Sequence, residues 1–236
     1  MTLTELIAGV EAQRKTLTVF NATAAETIAL RDHFADRNID VVAGDSTDGP
    51  ERFVVLSDGE TFLTATSVET VLSGGVIETP NGGQTRPILD YLDETTFTSY
   101  DTEQMAAASN EIEDRAWRVG AGTVYAGFGT VRDLCFQLET YERLASRASL
   151  SVQLYAVPNQ EIPDHDDVVI QLERSQEIES TWFVVFDGNG MDEKKCALLA
   201  QERDPGSFYG FWTYDPGTVD WIVDHLLTNY TITDVP

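Results

Sequence analysis

The sequence predicts an α/β protein of mixed β-sheets flanked by helices, with two divergent βαβββα-like halves. Three observations carry that prediction. Short β-branched and aromatic runs, of which Thr181-Trp182-Phe183-Val184-Val185-Phe186 is the longest, alternate with amphipathic helical stripes. That run closes on Asp187-Gly188 and has an upstream echo in Phe53-Val54-Val55-Leu56-Ser57-Asp58-Gly59. After each copy come a turn and a further apolar strand, Thr61 to Thr66 in one case and Cys196 to Gln201 in the other.

In chain order, Thr2 to Gln13 reads as a helix with Leu3, Leu6, Ile7 and Val10 on one stripe. Strand Thr16 to Phe20 follows. Thr23-Ala24-Ala25-Glu26 is a capping box opening a helix to about Asn38, with Thr27, Leu30 and Phe34 inward. Strands Ile39 to Ala43 and Phe53 to Leu56 precede Thr61 to Thr66, after which Ser67 caps a short helix through Leu72. Gly74-Gly75 and Pro80-Asn81-Gly82-Gly83 mark a loose connection, and Pro87 to Asp93 starts as a helix on its proline. Phe97 to Tyr100 is extended, and Asp101 caps the long helix Thr102 to Val119.

The pattern then restarts. Val124 to Ala126 is a strand, and Thr130 caps a helix lined by Leu134, Leu138, Tyr141 and Ala145. Strands at Leu150 to Val157, Val168 to Leu172, Thr181 to Phe186, Cys196 to Gln201 and Tyr209 to Tyr214 lead to a helix started by Asp215-Pro216. The whole, 1–236, is expected to act as one domain, with halves 1–73 and 120–236 joined by 74–119. A duplication and the ordinary alternation of α/β chains both account for the pattern.

The 236 residues carry 40 acidic and 15 basic side chains, a formal charge of −25, with lysine at Lys15, Lys194 and Lys195 alone. With 42% hydrophobic residues the chain is globular rather than disordered. Dispersed acidity is what a protein working in concentrated salt carries, because a short screening length mutes self-repulsion. A halophile's cytoplasmic protein is the expectation, since Met1 to Val10 lacks a secretion signal. No basic stripe offers itself to nucleic acid, and no apolar run is long enough for a membrane span. Cys135 and Cys196 read as reduced thiols.

Catalytic patterns are scarce. Gly127-Phe128-Gly129 could place amides on an anion, but Arg132 stands where a dinucleotide fingerprint needs glycine, so a tight turn is favoured. Asp187, Asn189 and Asp192 resemble a calcium loop, except that Leu198 occupies the bidentate position; a polar hairpin is favoured. His33, His165 and His225 lack metal spacing, and no Gly-x-Ser-x-Gly elbow occurs. No cofactor is expected. Aromatic crowding is more informative: Trp182, Phe183, Phe208, Tyr209, Phe211, Trp212 and Tyr214 load two strands. On the long helix, Trp117 points away from the Met105, Ile112, Ala116 stripe, while Glu111 and Arg115 are spaced for an intrahelical ion pair. Glu111, Arg115, Trp117, Arg118, Trp182, Tyr209, Trp212 and Tyr214 are therefore the candidate ligand- or partner-binding residues, packing in the core being the competing role for the aromatics.

Phe97-Thr98-Ser99-Tyr100-Asp101, Ile112-Glu113-Asp114-Arg115-Ala116, Gly127-Phe128, Trp182-Phe183-Val184-Val185, Leu199-Ala200-Gln201-Glu202 and Phe211-Trp212-Thr213-Tyr214-Asp215-Pro216 together resemble the DICT sensory domain of diguanylate cyclases and two-component systems. The resemblance extends over nearly the whole chain and is strongest to a stand-alone haloarchaeal form. It implies a non-catalytic sensory module that binds a small ligand or partner and relays a conformational change. Partners would be signalling proteins such as a histidine kinase or transcription regulator, and a homodimer is compatible with it. The rivals are a protein-protein adaptor and an enzyme acting on a phosphorylated substrate at Gly127 to Thr130 or in the Asp187 loop.

Overall fold

A computed structural model of the chain describes residues 1–12, 14–35, 37, 39–47, 49–74, 77–78, 84–85, 87–88 and 94–230, with 77–78, 84–85 and 94–99 described by their backbone. Two compact units emerge: Gly9–Phe97, and Met1–Ala8 together with Thr98–Pro236. Helix α1 (Leu3–Ala12) passes from the second into the first.

The smaller unit holds β1 (Lys15–Phe20), α2 (Ala24–His33), β2 (Ile39–Gly44), β3 (Phe53–Asp58), β4 (Thr61–Ser67) and α3 (Val68–Leu72), then the two-residue strands β5 (Ile77–Glu78) and β6 (Gln84–Thr85), which pair with each other. Its main sheet has the order β2-β1-β3-β4. β1 and β2 are parallel, α2 supplying the crossover that a parallel pair needs, and the other pairs are antiparallel. The expected capping box is present: Thr23 Oγ1 accepts from the Glu26 amide at 3.3 Å, and Glu26 Oε2 accepts from the Thr23 amide at 2.9 Å. α2 ends at His33, earlier than expected, where the Phe34 amide closes on Leu30 O and the chain turns. Leu17, Val19, Leu30, Phe34, Val54 and Leu56 form the core of this unit. The turn signals at Pro80 to Gly83 and residues 89–93 of the helix expected over Pro87 to Asp93 lie outside the described residues; Pro87 and Ile88 form a turn.

The larger unit begins in β7 (Glu94–Tyr100) and continues through α4 (Thr102–Val119), β8 (Ala121–Thr130), α5 (Val131–Cys135), α6 (Leu138–Ala145), β9 (Ser149–Val157), β10 (Val169–Leu172), α7 (Gln176–Ser180), β11 (Thr181–Phe186), β12 (Cys196–Asp204), β13 (Ser207–Thr213) and α8 (Pro216–Asn229). Its sheet order is β10-β9-β8-β11-β12-β13-β7. Every residue of β11 is buried, which explains why the strand reads as an unbroken apolar run rather than an alternating one. Trp182 reaches α4 on one face, and Phe183 meets Tyr155 on the other. Burying each such side chain contributes about 1.5–3 kcal/mol.

The two sheets share a frame. β2-β1-β3-β4 and β9-β8-β11-β12 have the same order and the same sequence of parallel, antiparallel and antiparallel pairings. α1 precedes β1 as α4 precedes β8.

Two expectations need correction, and one element has no counterpart among them. β8 runs through Gly127 and Gly129 to Thr130 instead of ending at Ala126, so the glycine pair is strand and bulge, with no strand-helix turn between them. The single helix expected from Thr130 to Ala145 is two, α5 and α6, broken at Phe136-Gln137. α7, a five-residue helix capped by Ser175, went unpredicted. Among the described residues no helix is long and apolar enough to cross a membrane.

Candidate functional site

Gly127 and Gly129 explain the shape of the site's floor. A Cβ on Gly127 would lie 2.4 Å from Cε1 of Phe183, so only glycine lets that ring pack across the β8-β11 pair. Gly129 has φ +82, and a Cβ there would meet the Glu179 carbonyl oxygen at 2.8 Å. The register to β9 shifts between Gly127 and Thr130, a bulge after which Thr130 pairs with Val157. A cleft of about 380 Å³ opens there. Phe128, Gly129 and Thr130 form one wall; Asp133, Phe136 and Gln137, around the break between α5 and α6, form the next. Glu179, Ser180, Thr181 and Trp182 come from the α7-β11 junction, while Thr102, Glu202 and Phe208 complete the rim.

The cleft is built around an aromatic series. The Phe128 and Trp182 rings meet edge to face at 5.1 Å, as do Trp182 and Phe208 at 5.6 Å, and Phe128 continues to Tyr141 at 5.4 Å. Trp182 is fixed from behind: Nε1 donates to Ser109 Oγ at 3.0 Å, and Ser109 Oγ donates to Met105 O at 3.0 Å, turning a mid-helix serine into an anchor for the indole. Tyr141 OH donates to the buried Glu113 Oε1 at 2.7 Å. Burial raises the Glu113 carboxyl against the lowering effect of that bond, and burial pushes the Tyr141 phenol well up. Phe136, at the C-cap of α5, is 77% exposed while lining the cleft.

α7 separates this cleft from a polar cluster. Glu179 and Ser180 face the cleft; Glu177, two residues earlier, accepts from the Leu3 amide at the start of α1 and from Tyr230 OH at the end of α8. His225 Nε2 lies 3.0 Å from Glu177 Oε2, and Asn229 Nδ2 lies 3.1 Å from His225 Nδ1, an arrangement satisfied by the Nε2–H tautomer. Trp221 stacks on the imidazole at 5.1 Å. Burial raises the Glu177 carboxyl, but the bonds from Tyr230, His225 and Leu3 outweigh it and leave it below the ordinary value.

The sequence candidates are distributed over separate places. Trp182 is in the cleft. Glu111 and Tyr214 are together, Tyr214 OH donating to Glu111 Oε1 at 2.6 Å, with Arg115 Cζ 5.0 Å above the Tyr214 ring and Trp212 beside them. The Glu111–Arg115 ion pair expected from their spacing does not form: Arg115 reaches off the helix to Glu193 O at 2.9 Å. The cavity among these residues is about 10 Å³, room for a water and no more. Burial pushes the adjacent Cys196 thiol up to about 12, far from the thiolate that reactivity needs. Trp117, 37% exposed, lies under Arg147 at 4.1 Å, and Arg118 is exposed beside it. Tyr209 is buried beneath Arg203 at 3.9 Å. Phe128, Phe136, Phe208, Glu179 and Glu202 were not among the candidates. A signal among them was Phe136, an aromatic that the Leu134, Leu138, Tyr141 stripe does not claim.

The other motifs resolve into structure. Asp187 Oδ1 accepts from the Thr123 amide at 2.9 Å and the Asn189 amide at 2.8 Å, making a turn of the calcium-like loop. No group of three or more possible metal ligands occurs among the described residues. Cys135 and Cys196 are both free.

Residues 86–203 match the family described as "Sensory domain in DIguanylate Cyclases and Two-component system". The chain therefore belongs to the DICT family, a family of sensory domains. The match covers half of the chain, less than the resemblance implied: Phe211 to Pro216 lie beyond it. Of the cleft residues only Phe208 lies outside the matched segment. No curated protein matches the chain. Among solved structures, a polyphosphate kinase from Porphyromonas gingivalis is similar at 11% identity and a TM-score of 0.38, over 94% of this chain and 47% of that one. The chain thus spans about half of that structure's length, and so loose a likeness carries nothing about activity.

Proposed function

We propose that this chain is a non-catalytic sensory module of a signalling system, that it binds a small ligand in the Phe128–Trp182–Phe208 cleft, and that α7 relays occupancy to the Glu177 cluster. The observation that carries the reading is the cleft itself. Its volume falls in the range of small-molecule sites, about 300–1,000 Å³, and it lies almost wholly in the segment that defines the family. α7 suits a relay because ligand contact at Glu179 or Ser180 and the latch at Glu177 are on one short helix, which cannot shift at one end alone. Leu3 and Tyr230 place both α1 and α8 on that latch. In this reading residues 1–236 act as one module with a duplicated frame, in the cytoplasm of a halophile, and the output is contact with a partner such as a histidine kinase or transcription regulator.

The test is native mass spectrometry of the full chain purified in concentrated salt, combined with hydrogen exchange. The expected result is a small molecule retained by the wild type, lost from Phe136→Ala, and protecting the first turn of α1 when bound. Glu177→Gln should keep the ligand and lose that distant protection. A chain that carries a protein partner and no small molecule, with Phe136→Ala indistinguishable from wild type, would instead favour the adaptor reading, in which exposed Trp117 and Arg118 are the anchors.

A further inference from the structure

The lining of the cleft restricts what it can hold. Phe136 presents an open ring while Phe128, Trp182 and Phe208 line the cleft largely buried, and among the described residues the charged ones that line it, Asp133, Glu179 and Glu202, are all acidic. The nearest arginines in sequence do not enter it: Arg132 is absent from the lining, and Arg203 lies 3.9 Å above the Tyr209 ring. Asp133 Oδ2 accepts from Thr130 Oγ1 at 2.5 Å and Glu202 Oε1 from the Gly206 amide at 2.6 Å, so two of the three carboxylates are held in place. An anion would meet repulsion with no counter-charge among the described lining residues. A neutral molecule would use the rings and leave the carboxylates idle. An organic cation gains from both, because an aromatic face attracts positive charge and a carboxylate within a few ångströms adds to it. Both Phe128 and Phe208 stand nearly perpendicular to the Trp182 indole, at 85° and 82°, so an apolar body resting here meets rings in more than one plane.

We infer that the cleft binds a small organic cation, an amine or quaternary ammonium with an apolar body. This rests on the reading of the cleft as the sensory site. The acidic rim alone would not select this class, since the whole chain is acidic at −25. The combination with aromatic walls and, among the described residues, a lining without arginine does.

The experiment titrates the full chain, at one fixed concentration of KCl, with benzyltrimethylammonium, its neutral carbon isostere neopentylbenzene, and benzoate, followed by calorimetry and tryptophan fluorescence. The cation should bind about tenfold or more tightly than the neutral isostere, and benzoate should not bind. Phe136→Ala and Glu179→Gln, both at exposed positions, should keep the wild-type unfolding midpoint and each weaken the cation about threefold to tenfold. Equal or tighter binding of the isostere or benzoate, sensitive to Phe136→Ala, would overturn the cation class and leave the cleft reading standing. The class also falls if none of the three probes binds. Cation binding indifferent to both variants would overturn the cleft reading together with the inference.

Discussion

Glu177→Gln is the sharpest perturbation of the proposed relay. The carboxylate, 11% exposed, accepts from the Leu3 amide, Tyr230 OH and His225 Nε2, which is 10% exposed. Bonds to a charged acceptor are worth about 1.5–3 kcal/mol each, or about 4.5–9 if simply summed. Glutamine keeps one acceptor oxygen and turns its amide hydrogens on a donor, so part of the sum survives; partial solvent access and coupling between the three reduce it further. The expected loss is about 2–3 kcal/mol, a drop of about 1 M or more in the urea midpoint. All four tryptophans, Trp117, Trp182, Trp212 and Trp221, lie in the larger unit, so their fluorescence follows that unit whether or not the chain unfolds in one step. The pH dependence adds a second check. Because the folded Glu177 carboxyl is held below its ordinary value of 4.5, its stabilisation is complete above that pH and is lost as pH falls through the folded value. The gap between wild type and variant should therefore close in acid. A loss under about 0.5 kcal/mol at neutral pH, or a gap constant down to about pH 3, would refute the claim that this carboxylate holds the cluster together.

Glu113→Gln should show the opposite slope: burial raises the folded carboxyl above 4.5, so its ionisation costs the folded state increasingly as pH rises, and the variant should gain relative to wild type between acid and neutral pH in the same urea titrations. Gly127→Ala should lower stability by about 1–3 kcal/mol, as the methyl must displace the Phe183 ring; an unchanged fluorescence midpoint would remove that packing argument. Thr23→Ala should cost about 1 kcal/mol in the smaller unit, read by circular dichroism because that unit has no tryptophan. Transfer from concentrated to dilute salt should lower the unfolding midpoint, since screening then no longer mutes a net charge of −25; an unmoved midpoint would count against the halophile reading.

Much of the fold was legible because the controlling interactions are local. Thr23 with Glu26, Asp101 with Gln104, Thr130 with Asp133 and Asp215 with Thr218 are caps readable within four residues, and each opens a helix in the structure. β11 was readable because burial on both faces leaves no polar position to interrupt it. The helix break at Phe136 was not, because the apolar spacing of Leu134, Leu138 and Tyr141 continues across it. α7 escaped because five residues hold too little periodicity to show. Of the candidate binding residues only Trp182 lies in the cleft, although the sequence also singled out Gly127 to Thr130 and Phe208. Its other walls meet through β8-β11 pairing and a bulge at Gly129, long-range consequences that no window along the chain displays. The same applies to Arg115, whose spacing from Glu111 suited a pair until Glu193, seventy-eight residues on, offered a carbonyl.

The shared frame of the two sheets has a further consequence. In the smaller unit β2 and β3 are joined by residues 45–52, whereas between β9 and β11 the chain inserts residues 158–180, and with them β10 and α7. One wall of the cleft and the latch at Glu177 both come from that insertion. Of the cleft's lining, Glu179 and Ser180 come from that stretch, while Phe128 to Thr130, Trp182 and Glu202 stand on strands of the shared frame. Under the proposed reading, changes of length or sequence in 158–180 would reshape one wall of the cleft and the Glu177 latch while the strands of the shared frame keep their order.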